Sequence, residues 1–225
     1  MSEELALSIL LQNIKEKNDL KKDENKWILH SIYTGIAAKR IAKSLNLSDD
    51  YASSIGYLHD IGRIINHNNH PIEGYLYLDN LGYPDIGRYS ITHSFINNDI
   101  NSTAGGGPKD KESYNFINNY LNSIELNIYD NIIQLCDLFC LDKGFTTIEK
   151  RMIDISKRKG VYDNSYDHFK SVINLKKYIE KKINKNLYDL FPEIEKEDLD
   201  NIENDHESLI KMINEKSLIK NLKKK

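Results

Sequence analysis

The sequence predicts an all-α protein. Apolar residues recur every three to four positions along most of the chain, which is the period of a helix with one buried face. Glycine and proline are scarce, at 11 and 4 of 225 residues, and most of them fall where predicted helices begin or end. No run shows the regular alternation of a half-buried strand, so at most a weak hairpin is expected.

The first three helices are predicted from apolar stripes and one cap. Apolar side chains at helical spacing indicate a first helix over residues 5–14 and a second over about 25–45. Ser48, which precedes two aspartates, is a suitable N-cap for the third helix. That helix is expected to end near residues 59–62, with Gly62 as its C-terminal stop.

Prolines, glycines and polar caps divide the rest of the chain. Pro71 and Pro84 suit the first turns of the fourth and fifth helices, which end near Leu81 and His93. The polar, glycine-rich segment 97–110 predicts a long loop, either a binding segment or a plain surface loop. Later helices are predicted over 112–126, 129–141, 146–159, 164–185 and, after Pro192, from 195 onward.

Composition restricts the expected cellular location of the protein and the classes of partner that it can bind. A chain of 225 residues suits one domain with a helical appendage, and a net charge of -3 gives no sign of a nucleic-acid partner. Cys136 and Cys140 are too few for a disulfide framework or a thiolate zinc site. No signal peptide and no apolar run of the ~18–20 residues of a membrane span are visible. We therefore expect a cytoplasmic protein without membrane contact.

Potential metal ligands form an ordered series along the chain. Its members are His30, His59, Asp60, His70, His93 and Asp137. Neutral imidazoles and carboxylates suit divalent transition metals, and in a helical bundle such ligands project inward toward one point. Asp137 lies in the apolar run 132–141, where a buried carboxylate is costly unless it is paired or metal-bound. The alternative is that Asp137 lies on the solvent-exposed face of an amphipathic helix.

The segment His59-Asp60-Ile61-Gly62-Arg63, at the end of an apolar helix, resembles the signature of the HD superfamily of metal-dependent phosphohydrolases. In that superfamily a histidine, the adjacent His-Asp pair and a later aspartate occur in this order, which here falls on His30, His59, Asp60 and Asp137. The resemblance covers about residues 25–145. It implies an HD-domain helical bundle with an N-terminal helix over 1–145, and additional C-terminal helices over 146–225 packed on or next to it.

Two further histidines resemble those of HD subfamilies that bind a second metal. His70-Pro71-Ile72-Glu73-Gly74 is similar to a segment of the cyclic-dinucleotide branch called HD-GYP. His93 stands where that branch has two adjacent histidines, but it is followed by Ser94. Gly82-Tyr83-Pro84 also precedes His93 instead of following it, so cleavage of a cyclic dinucleotide is not expected.

The resemblance implies a phosphohydrolase that acts on a nucleotide or another small phosphate ester through a metal-activated water. The cofactor would be one or two divalent ions, of Mn, Fe, Co, Ni or Zn. The first-metal ligands would be His30, His59, Asp60 and Asp137. Asp60 would be catalytic and would bridge to a second metal held by His70 and His93.

Cationic side chains are expected to bind the substrate phosphate. Arg63, which lies close after the His-Asp pair, is the first candidate, because its planar guanidinium matches phosphate oxygens. We expect Arg63 to act with Asp60 in catalysis. Arg88 is the second candidate, and Arg151 and Lys109 are weaker ones. A solvated surface charge is the alternative for each. His67, His168 and His206 are predicted to be surface residues.

Two other functions fit the same series. Some HD proteins are di-iron oxygenases whose ligands are also four histidines and two aspartates, and others are nucleotide-sensing modules, which are expected to have lost a ligand. The intact first-metal set argues against the sensing module. The apolar stripe between Leu199 and Leu218 predicts that the C-terminal helices cap the site or form a homodimer interface.

Overall fold

The computed structural model is almost entirely helical, so the predicted all-α fold is confirmed. It describes residues 1–12, 14, 22–103, 107–108 and 110–222, with side chains up to residue 215. Lys109, a weaker candidate for binding phosphate, lies outside these residues. Within the described ranges, no helix is both long and apolar enough to cross a membrane.

Eleven α-helices are present among the described residues. In chain order they are α1 (Glu3–Leu11), α2 (Lys26–Ser44), α3 (Asp49–Leu58), α4 (His70–Asn80), α5 (Pro84–Thr92), α6 (Lys111–Asn122), α7 (Ile128–Asp137), α8 (Ile148–Lys159), α9 (Ser165–Ile183), α10 (Lys196–Asp200) and α11 (Ile202–Leu222). Short 3-10 turns occur at Asp23–Asn25, Ile61–Ile64, Ile96–Asn98 and Leu187–Leu190. Strands β1 (Cys140–Leu141) and β2 (Gly144–Phe145) form an antiparallel hairpin.

Most predicted helix boundaries hold to within a few residues. The Ser48 hydroxyl caps α3 by accepting a hydrogen bond from the Tyr51 amide at 3.3 Å. Gly160 stops α8 with a φ of 87°. The helix predicted over 129–141 is wrong at its end, because α7 stops at Asp137 and the chain then turns into the hairpin. The C-terminal segment is two helices, α10 and α11.

Two glycines permit close contacts that bring the ligand-bearing elements together. A Cβ on Gly56 of α3 would lie 2.5 Å from the Cα of Gly35, so α2 and α3 touch backbone to backbone. A Cβ on Gly62 would lie 2.1 Å from the carbonyl oxygen of His70. The prediction that Gly62 is a helix stop was wrong: it lies inside the 3-10 turn and allows the start of α4 to approach.

The main hydrophobic core joins both halves of the chain. Ile41, Leu135 and Phe139 belong to it, together with Val172 and Phe191 from beyond residue 145. The ring of Phe191 lies 4.8 Å from that of Phe139. The C-terminal helices are therefore packed on the N-terminal bundle, and the domain boundary at 145 stays a prediction.

Candidate metal centre

The six predicted ligands come together from five parts of the fold. His30 lies on α2, and His59 and Asp60 directly follow α3. The remaining three lie at helix ends: His70 begins α4, His93 follows α5, and Asp137 ends α7. The sequence places these residues far apart, and the backbone contacts at Gly56 and Gly62 bring α3 against α2 and α4.

Each of the four histidines is oriented by a backbone carbonyl. The Nδ1 atoms of His30 and His59 lie 3.0 Å from the Cys140 oxygen and 2.7 Å from the Gly56 oxygen. Those of His70 and His93 each lie 3.1 Å from a carbonyl oxygen, of His67 and Tyr89 respectively. A carbonyl only accepts hydrogen bonds, so Nδ1 carries a proton and Nε2 is the nitrogen left to bind a metal. Such backbone partners are typical of metal-binding histidines.

His30, His59 and Asp137 form one side of the centre. The His30 Nε2 lies 2.9 Å from Oδ1 of Asp137, and the His59 Nε2 lies 3.7 Å from the same oxygen. The Asp137 side chain is 30% exposed, whereas that of His59 is fully buried. The centre therefore opens to solvent beside Asp137.

Asp60 connects this side to a second group of ligands. Its Oδ1 lies 3.1 Å from the His70 Nε2 and 3.6 Å from the His93 Nε2, while its Oδ2 lies 3.8 Å from the His59 Nε2. Ligand atoms of His30, His59 and Asp60 lie within 4.8 Å of one another, and so do those of Asp60, His70 and His93. One carboxylate is thus shared by two potential metal subsites.

The buried polar atoms of this centre fit a metal ion. Among the described residues, the Nε2 atoms of His59 and His70 and the Oδ1 of Asp60 are buried and have no hydrogen-bond partner. Buried polar atoms are rarely left unsatisfied, and all three belong to the two groups of potential ligands that share Asp60. Imidazole and carboxylate ligands together suit Mn, Fe, Co, Ni or Zn.

Electrostatics keep both carboxylates ionised. Burial alone would raise the pKa of Asp60, but Arg63, His70 and His59 hold it well below its usual range. Burial acts in the same way on Asp137, and His30 and His59 keep its pKa low. For His93, burial and the neighbouring His59 lower the pKa to about 3, so its imidazole is neutral and able to bind metal.

The two arginines proposed to bind substrate differ in their contacts. Arg63 uses Nε to bond Oδ2 of Asp60 at 2.5 Å, and its Nη groups form no hydrogen bond within the described part of the chain. Arg88 donates from Nη2 to the buried Asp130 at 2.6 Å and to the Glu125 carbonyl at 3.1 Å. That Arg88 binds the substrate stays a prediction, but its contacts favour a structural role. Arg151, the weaker candidate, pairs with Asp154.

His168 is buried, so its prediction as a surface residue was wrong. Its side chain is 4% exposed, Nδ1 lies 3.3 Å from the Ser102 hydroxyl, and Nε2 has no hydrogen-bond partner among the described residues. The signal was present, because His168 precedes the buried Val172 and Leu175 by four and seven positions on one helix face. His67 and His206 are exposed, as predicted.

Comparison with known proteins agrees with this geometry. A family model described as HD domain matches residues 27–141, just over half of the chain. The matched region begins before His30 and ends after Asp137, so it spans all six predicted ligands. No curated protein and no solved structure matched the chain. The chain belongs to the HD-domain family.

Proposed function

We propose that this protein is a binuclear metal-dependent phosphohydrolase that acts on a nucleotide or another small phosphate ester. Members of the HD-domain family are mostly metal-dependent phosphohydrolases. The observation that carries the proposal is the position of Asp60, whose two oxygens face separate groups of histidines. A carboxylate between two such groups is the arrangement expected of a bridging ligand.

The proposal assigns the ligands to two subsites. The first comprises His30, His59, Asp60 and Asp137, and the second comprises Asp60, His70 and His93. When bound, the metals would lower the pKa of a coordinated water toward ~7 and would neutralise charge on the phosphoryl oxygens.

The residues of the chain prepare the centre for this chemistry. The four carbonyl partners fix every imidazole ring with its Nε2 toward the centre, so no candidate ligand has to reorient. The low pKa values of Asp60 and Asp137 make both carboxylates available at neutral pH. The exposed side of Asp137 provides the approach for a substrate.

Arg63 is proposed to bind the substrate phosphate. Its Nε bond to Asp60 holds the guanidinium beside the shared ligand, and its side chain is 27% exposed. The Nη donors then offer a planar pair for two phosphoryl oxygens. The Arg63–Asp60 bond would keep a phosphate bound by Arg63 next to the two subsites.

The test measures hydrolysis of generic phosphate esters, a monoester and a diester, under nitrogen, with Mn, Fe, Co, Ni or Zn added to metal-stripped protein. We expect hydrolysis with at least one metal and its loss in Asp60→Asn, because removal of an essential metal ligand removes the centre. The matched control is Asp79→Asn, an exposed aspartate on α4. Its rate should equal that of the wild type.

Other outcomes would favour the other family activities. Two bound irons without anaerobic hydrolysis in any metal would favour a di-iron oxygenase, which has the same ligand count. Failure to bind any metal would favour a nucleotide-sensing module. Equal rates in the wild type and Asp60→Asn would reject a catalytic role for this centre.

A further inference from the structure

Three polar side chains lie on one face of α7. Asp130, Gln134 and Asp137 are spaced four and three residues apart, so they form a polar stripe on one side of the helix. Asp137 is a ligand candidate. Asp130 and Gln134 are both fully buried, yet neither contacts any of the six ligands directly.

Gln134 binds the backbone on both sides of His93. Its Nε2 donates to the Thr92 carbonyl at 2.8 Å and to the Phe95 carbonyl at 3.1 Å. The Thr92 carbonyl ends α5, where the last carbonyls of a helix lack partners within it, and the Phe95 carbonyl directly precedes the 3-10 turn that follows. An amide nitrogen has two protons and can serve both, whereas leucine or glutamate of similar size cannot.

Asp130 strengthens the same junction. Its Oδ1 accepts a hydrogen bond from the Thr92 hydroxyl at 2.7 Å, and its Oδ2 accepts one from Arg88 at 2.6 Å. The Asn127 amide also donates to Oδ2, at 2.7 Å, within the capping box of α7. Two residues of α5 are thereby tied to α7 immediately before His93.

Building on the proposed binuclear function, we propose that Gln134, supported by Asp130, is a positioning residue for the second metal subsite. It fixes the end of α5 so that His93 faces Asp60. The Cys140 and Gly56 carbonyls, which hold His30 and His59 of the first subsite, lie outside this junction. Loss of Gln134 should therefore weaken one subsite selectively.

The experiment is a calorimetric titration of metal-stripped, full-length protein with Mn²⁺. Wild type should bind two ions per chain. In Gln134→Leu the second affinity should fall about 10–100-fold, the usual effect of losing an outer-shell partner, while the first stays within about threefold. Thr92→Val removes only the bond to Asp130, so its affinity for the second ion should fall by a smaller factor. This variant still tests the proposal if Gln134→Leu does not fold.

The control is Thr146→Val, which removes a buried hydrogen bond to Asp198 in the C-terminal part of the chain. It should lower thermal stability without changing either metal affinity. If folded Gln134→Leu and Thr92→Val bind both ions like wild type, or lose both affinities equally, the inference is overturned. If wild type itself binds fewer than two ions, the binuclear proposal fails first.

Discussion

A histidine binds a metal only through a nitrogen that carries a lone pair, and here backbone carbonyls decide which nitrogen that is. The four carbonyls belong to Cys140, Gly56, His67 and Tyr89. Three of them come from the preceding turn of the same segment, and the fourth comes from β1. The orientation of these candidate ligands is thus fixed by the fold itself.

Arg63 gives the first prediction. Arg63→Gln should lower kcat/KM for a phosphate ester about 10–100-fold, because hydrogen bonds to charged groups contribute about 1.5–3 kcal/mol. Metal content at pH 7 should stay unchanged, since Asp60 keeps its histidine neighbours. Steady-state kinetics and elemental analysis measure the two quantities.

The control for this variant is Arg158→Gln. Arg158 is exposed and pairs only with Asp154 among the described residues, so its loss should leave the kinetics unchanged. Equal effects of the two substitutions would contradict the proposal that Arg63 binds the substrate phosphate.

His168 predicts a dependence of stability on pH. Burial lowers its pKa to about 4 in the folded protein, against an ordinary value of 6.5. Between these values the unfolded chain binds the proton more readily, so this residue makes the fold less stable as the pH falls from about 6.5 toward 4. Between pH 7 and pH 5, the loss attributable to His168 should be about 1–2 kcal/mol.

Denaturant unfolding of the wild type and His168→Gln at both pH values tests this prediction. The variant should lose less stability on acidification than the wild type. His206→Gln, at an exposed histidine, should behave like the wild type. A slope in His168→Gln identical to that of the wild type would show that His168 does not carry this pH dependence.

The sequence was enough to select the candidate site residues by type, but it predicted their surroundings in the structure only in part. The six candidate ligands could be selected from the sequence because their types and order match one kind of chemistry, and the structure brings them together. The partner of His30 was not, because Cys140 lies 110 positions away and joins it through a hairpin of two-residue strands. The prediction for His168 was wrong because it relied on the charged residues nearby in the sequence and not on the position of His168 on an apolar helix face.

At the level of elements, the contact between α2 and α3 sets the distance between His30 and His59. Gly56→Ala would place a methyl group 2.5 Å from the Gly35 Cα. Alanine normally stabilises a helix relative to glycine by roughly 0.5–1 kcal/mol. Here we expect the opposite sign, a loss of about 1–3 kcal/mol from overpacking.

Thermal or denaturant unfolding of Gly56→Ala measures this loss. Affinity for the first metal should fall as well, because the Gly56 carbonyl holds His59. A variant with unchanged or increased stability would contradict the close contact of the two helices.

The end of α7 illustrates what periodicity alone could not predict. Apolar residues continue to Leu141, so the pattern extended the helix, but the backbone leaves it after Asp137. A carboxylate at a helix C-terminus is unfavourable beside the helix dipole. His30 and His59 offset this cost, and the early end lets the Cys140 carbonyl reach His30.

Across the whole molecule, the C-terminal helices complete the core behind the metal centre. Phe191 is fully buried between Phe139 and Phe145, with ring centroids at 4.8 and 5.0 Å. Phe191→Ala should lower the free energy of unfolding by about 3–5 kcal/mol, as for other large-to-small changes in a packed core. Denaturant unfolding followed by circular dichroism measures it.

The matched control is Tyr166→Ala on α9, whose side chain is exposed. It should change the stability by less than about 0.5 kcal/mol. If Phe191→Ala were equally mild, or if the two halves unfolded in separate transitions, the shared core would not be a unit of stability.

The most direct test of a two-metal centre is anomalous diffraction from crystals grown with Mn²⁺. The proposal predicts two anomalous peaks on either side of Asp60. One should contact His30, His59 and Asp137, and the other His70 and His93. A single peak, or peaks only at surface carboxylates, would contradict the assignment of Asp60 as the ligand shared between two metals.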